Sequence, residues 1–134
     1  MKKELESFLQ QAMAIRSKAY APYSKFQVGA AVLSAANKIY LGCNVENASY
    51  GLTLCAERSA IAAAIKSEGP EMRIQAIAIA VDPSFIASPC GACRQVIQEF
   101  AQPPDKGDCW VVMNNKQQMV HVKLGDLLPF PFIL

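Results

Sequence analysis

Histidine is nearly absent: the 134 residues hold only His121, and tryptophan occurs once, as Trp110. A metal site built on several histidines is therefore excluded, and His121 lies on a late, strand-like stretch where packing or solvent exposure is the ordinary fate of an imidazole. Long hydrophobic runs are missing too. No stretch approaches the ~20 apolar residues that a bilayer-crossing helix needs. Charge is thin and balanced, with 13 basic and 11 acidic residues for a net charge of +2. The basic residues are scattered and form no run, which excludes a dedicated nucleic-acid-binding surface. Repeats, linkers and low-complexity segments are lacking, so one domain spanning 1–134 is expected.

The N-terminus opens with Lys2 and Lys3, but Glu4, Glu6, Gln10 and Gln11 interrupt the apolar core that a signal peptide requires. A cytoplasmic, non-membrane protein is the expectation. Cysteine is present in an odd number, five, and without a secretory signal a disulfide framework is not expected. Cys43 and Cys109 fall in strand-like runs and read as small packed hydrophobes. Cys55, Cys90 and Cys93 do not.

What the chain does have is apolar content: 52% of residues are hydrophobic, enough for a packed core. Leu5, Phe8, Leu9, Ala12, Ile15 and Ala19 recur at helical spacing. QVGAAVLS and IYLGCNV read as strands joined by a turn at Ala36-Asn37-Lys38. A second helix begins at Cys55 and stops at Gly69-Pro70. IQAIAIAV is a strand covered on both faces. A third helix opens at Cys90 and ends before Pro103-Pro104, followed by strands CWVVMN and QMVHVK and an apolar tail, GDLLPFPFIL. This alternation predicts an α/β fold: a three-layer α/β/α sandwich around a mixed, mostly parallel sheet of about five strands.

In such sheets ligands collect where strand ends meet helix N-termini. Cys90 and Cys93 are spaced i, i+3 and share a helix face, and Cys55 opens the other helix; thiolates at helix starts are favoured as metal ligands. Three sulfurs leave one position of a tetrahedral ion open, which is the arrangement of a catalytic zinc. Glu57 sits too close along the helix to ligate comfortably, but it reaches the open position as a proton carrier. Arg58 can offset the negative charge of three thiolates by hydrogen-bonding to sulfur. Two other readings stand beside this one. A structural zinc module would recruit a fourth ligand such as Cys43, and a redox pair would use Cys90-Gly-Ala-Cys93 alone.

C-A-E followed by P-C-x-x-C resembles the signature of the zinc-dependent nucleoside and nucleobase deaminases, with Cys55 in place of histidine. YAPYSKFQVGAAV, GCNVENASYGLTLCAERSAI, SPCGACRQV and the late LLP extend the resemblance over nearly the whole chain, to the small homotetrameric cytidine deaminases. The resemblance implies one zinc per subunit on Cys55, Cys90 and Cys93, with Glu57 as proton shuttle. It implies further that Asn44 and Glu46 bind the ribose hydroxyls and that Phe26 packs on the nucleoside. The Ala56 backbone would meet the pyrimidine carbonyl region, and Tyr50 would act across a subunit boundary. Relatives of this kind carry Gly-Ala after LLP and then a phenylalanine that enters a neighbouring site; here LLPFPF puts Phe132 in the matching place. The expected reaction is hydrolytic deamination of cytidine and deoxycytidine in pyrimidine salvage. A deaminase of a blasticidin-type antibiotic is the nearest alternative.

Overall fold

The computed structural model describes residues 2–134. Its elements run α1 (Lys2–Ile15), β1 (Gly29–Ser34), β2 (Ile39–Cys43), α2 (Ala56–Glu68), β3 (Ile74–Ala80), α3 (Gly91–Phe100), β4 (Trp110–Asn115), β5 (Gln118–Lys123) and α4 (Leu124–Leu127). The strands form one sheet in the order β2-β1-β3-β4-β5. Helix α1 covers one face, and α2 and α3 cover the other.

The expected layers are present, but the sheet is not mostly parallel. Only β3 and β4 pair in parallel; β1–β2, β1–β3 and β4–β5 are antiparallel. The reason is connection length. Tight turns join β1 to β2 and β4 to β5, and a short turn can only reverse a chain. Asn37 and Lys116 take left-handed backbone conformations in those two turns, with φ of 62° and 56°. The crossover through α2 carries β3 past β2 to the far side of β1, so the strands it links are not neighbours. Only the crossover through α3 sets linked strands side by side.

Strand β3 shows why a continuous apolar run was needed. Ala76, Ala78 and Ala80 face α1, while Ile77, Ile79 and the following Val81 face α2 and α3. Phe8, Leu9 and Ala12 are the buried residues of α1, as the helical spacing predicted; Ile15 and Ala19 end only half-buried because the chain tightens into a 3-10 turn at Arg16–Lys18. The tail holds one short helix, α4, that its prolines had hidden from the sequence reading.

Two glycines fix how closely the helices approach. A Cβ on Gly29 would stand 1.9 Å from the Ala12 carbonyl oxygen of α1, and one on Gly42 would stand 2.3 Å from the Ala60 nitrogen of α2. Helix α2 thus lies directly on β2, and its N-terminus is held against the end of that strand. No helix among the described residues is long and apolar enough to cross a membrane.

Candidate metal centre and active site

Residues distant in sequence converge just beyond the end of β2. Val45 exchanges hydrogen bonds with Leu54 at 2.9 and 2.8 Å, which brings Asn44–Glu46 beside the start of α2. On the other side, Tyr20 N–H donates to Asn44 O at 3.0 Å and Glu46 N–H donates to Tyr20 O at 2.8 Å, adding the segment that leads to Phe26.

Cys55 is the N-cap of α2 and Cys90 the N-cap of α3, where the Cys93 amide donates to the Cys90 sulfur at 3.4 Å. With Cys93 one turn into α3, the three sulfurs lie within 4.8 Å of one another. A tetrahedral zinc with bonds of ~2.3 Å wants sulfurs about 3.8 Å apart, so small rotations suffice to bind it. Burial, then the charges of Glu57 and Cys55, push the Cys93 thiol far up. Burial also opposes ionisation of Cys90, but the amide and thiol of Cys93 and the amide of Ala92 outweigh it and bring its value down. Ionisation is thus eased at Cys90 and resisted at Cys93. Among the described residues no fourth side chain joins the triplet. His121 lies instead against Trp110, ring centroids 5.4 Å apart, and Cys43 stands outside the cluster. The donor set fits zinc with one position left over. It fits neither a closed four-ligand module nor a pair that ignores Cys55.

Arg58 Nη2 donates to the Cys55 sulfur at 3.2 Å and to Thr53 O at 3.4 Å, the contact expected of a residue that offsets sulfur charge. Its Nε is buried without a partner. Glu57 is 5% exposed. Burial pushes its carboxyl above the ordinary carboxylate range, against the opposing pull of its own amide, Cys93 and Arg58. Arg94 is half-buried. Its guanidinium donates to Pro89 O at 2.8 Å, Leu127 O at 2.9 Å and Ser88 Oγ at 2.9 Å, tying the strand-to-helix loop that bears Cys90 to α4.

A cavity of about 500 Å³ opens onto Cys55, Glu57 and Cys90. Phe26, Asn44, Glu46, Tyr50 and Ala56 line it as well, so the predicted residues are gathered around one space. Phe132 is not among them. Its N–H donates to Gln95 Oε1 at 3.2 Å and its carbonyl accepts from Gln95 Nε2 at 2.9 Å, leaving it 71% exposed along α3. Asn44 also differs from a free ligand-binding amide. Its Oδ1 accepts from Val28 N–H and its Nδ2 donates to Phe26 O, each at 2.8 Å, so one N–H and one lone pair remain for other work. The lining residues missed by sequence reading are Ser24, Val28, Thr53, Ile79, Val81, Ile86 and Ser88. Ile79 and Val81 belong to a strand whose pattern signals only burial. Ile86 and Ser88 come from a loop with no pattern at all. Phe85 of that loop packs edge-on against Phe26, centroids 5.5 Å apart, and Asn114 anchors it through Val81 N–H at 2.9 Å and the Ala87 amide at 2.8 Å.

A mixed sheet with helices on both faces and a three-sulfur metal centre at two helix starts, overlooked by a buried carboxylate, defines a zinc-binding enzyme with an open coordination position. A model of the cytidine and deoxycytidylate deaminase zinc-binding region matches residues 2–104, and the chain belongs to that family. It is 42% identical over 130 residues to a cytidine deaminase of Sporosarcina psychrophila, covering 96% of this chain and 91% of that one. The crystal structure of a cytidine deaminase from Burkholderia pseudomallei superposes with a TM-score of 0.83 at 44% identity, covering 95% of this chain and 98% of that one. A blasticidin-S deaminase of Bacillus cereus is more distant, 29% identical over 116 residues, 81% of this chain and 79% of that one.

Proposed function

We propose that the protein hydrolyses the 4-amino group of cytidine and 2'-deoxycytidine, giving the uridine nucleosides and ammonia. The observation that carries this is Glu57, buried yet lining the cavity onto which Cys55 and Cys90 also open. The greater identity to cytidine deaminases than to the blasticidin-S enzyme supports a nucleoside as substrate.

Cys55, Cys90 and Cys93 would hold a zinc ion, which would supply the Lewis acidity that makes a water nucleophilic near neutral pH. Glu57 takes the proton released as that water attacks C4. It passes that proton to N3, takes a second from the new C4 hydroxyl as the carbonyl forms, and delivers it to the departing amine; its raised affinity for protons suits this shuttling. Arg58 draws charge from the Cys55 sulfur. The Ala56 amide region, at the first residue of α2, lies where a pyrimidine carbonyl would be held, and Phe26 would pack on the base. Asn44 and Glu46 would take the ribose hydroxyls.

Residues 1–134 would act as one catalytic domain and assemble as a homotetramer in the cytoplasm, serving pyrimidine salvage. Phe130 is 94% exposed, Tyr50 89% and Phe132 71%, an apolar surface that association would cover. Phe132, outside its own cavity, would then reach a neighbour's. Following the fall in cytidine absorbance in the ultraviolet tests the reading. Purified protein should consume cytidine, stop after chelation and recover with zinc; zinc-replete protein that leaves cytidine untouched would refute it.

A further inference from the structure

The turn before β1 holds a serine whose contacts exceed what a turn needs. Ser24 Oγ donates to Glu46 Oε2 and at the same time accepts from the Phe26 N–H at 3.0 Å. The backbone amides of Tyr23 and Ser24 donate to the other carboxylate oxygen, Oε1, at 3.0 and 3.2 Å. Lys25 adopts a left-handed conformation, φ 61°, and this turns the Phe26 amide back onto the Ser24 hydroxyl. One hydroxyl thus links the Glu46 carboxylate to the backbone of Phe26, and both residues line the cavity.

A carboxylate offers about four lone-pair positions. The three donors from Tyr23 and Ser24 fill all but about one, and that one lies on Oε2 beside the cavity. Glu46 is therefore fixed in rotamer and direction before a ligand arrives. Preorganisation of this kind lowers the ordering cost of binding. Ser24, with the same donors, also keeps Glu46 ionised at lower pH than usual.

We infer that Ser24 is a positioning residue that aims Glu46 at the sugar, setting selectivity for nucleosides with ribose hydroxyls. It touches no reacting atom. The inference rests on the nucleoside reading above and adds to it a residue that acts through another.

The test compares kcat/KM for cytidine with that for 2',3'-dideoxycytidine, which lacks the hydroxyls Glu46 would hold. In Ser24→Ala the preference for cytidine should fall roughly tenfold, mainly through KM for cytidine, the scale of a lost hydrogen bond to a charged group. Ser24→Thr keeps the hydroxyl and should restore the preference. In a Glu46→Gln background, Ser24→Ala should change it less than about twofold, because the two residues act as one unit. A preference that falls less than about threefold in Ser24→Ala, in protein that still binds zinc and deaminates cytidine, overturns the inference and leaves the deaminase reading intact. Wild-type protein that binds zinc and deaminates neither nucleoside overturns both.

Discussion

Arg58 stands one turn into α2 and donates from Nη2 to the Cys55 sulfur at 3.2 Å. Three thiolates over-neutralise a divalent ion, and a guanidinium on one sulfur removes part of that excess. Arg58→Gln should keep the fold, lower kcat about 10–100-fold and move the acid limb of the pH–rate profile to higher pH, because a water beside more negative sulfur ionises less readily. Steady-state kinetics across pH on zinc-loaded protein would show this. An unmoved profile would mean that the contact is structural only.

Glu57 is the buried carboxylate with access to the cavity and the sulfurs. Glu57→Gln preserves shape and hydrogen-bonding capacity while removing the proton acceptor. Zinc content and thermal stability should stay near wild type, and turnover should fall at least ~10²–10⁴-fold. Metal analysis alongside the ultraviolet assay separates this from loss of zinc.

Gly42 couples packing to the site. An added Cβ would press on the backbone of Ala60 at 2.3 Å, and α2 would have to move away from β2. Since Cys55 caps α2 and Glu57 lies in its first turn, Gly42→Ala should cost about 1–3 kcal/mol of stability and loosen zinc as well. Thermal melts and competition with a chelator would report the two effects together.

Glu68 binds the end of α2 to the first hairpin. Its Oε2 accepts from Ser34 Oγ at 2.7 Å and from Tyr40 OH at 2.8 Å. The Ser34 contact, opposed by burial and aided by Tyr40 and Lys38, holds its folded-state value below the ordinary 4.5. A depressed folded value means stability present above about pH 4.5 and lost as pH falls through the folded-state value. Melting temperature should therefore drop on acidification through that window, and Ser34→Ala should flatten the drop. Parallel slopes in the two proteins would count against the assignment.

The three-cysteine cluster was legible because its pattern is local: a cysteine before each helix start, a second cysteine one turn on, and a carboxylate two residues after the first. The Ile–Ala alternation of β3 likewise announced a strand buried on both sides. Strand direction was less legible. The turn at Ala36-Asn37-Lys38 was read correctly, but the placement of β3 beside β1 rather than β2 depends on how α2 packs on Gly42, and no local pattern encodes that. Asn44 and Glu46 were recognised as a pair, whereas their bonds to Phe26, Val28 and Ser24 span 16 to 22 residues and exist only in the folded chain. Ile86 and Ser88 remained invisible for the same reason: a loop becomes a cavity wall only when Asn114 and Arg94 hold it there.

X-ray absorption at the zinc edge of purified, active protein tests the centre most directly. We expect three sulfur neighbours at ~2.3 Å and one lighter oxygen or nitrogen neighbour at ~2.0–2.2 Å, the light neighbour changing when a pyrimidine nucleoside is added. Four sulfur neighbours, or active protein free of metal, would contradict it.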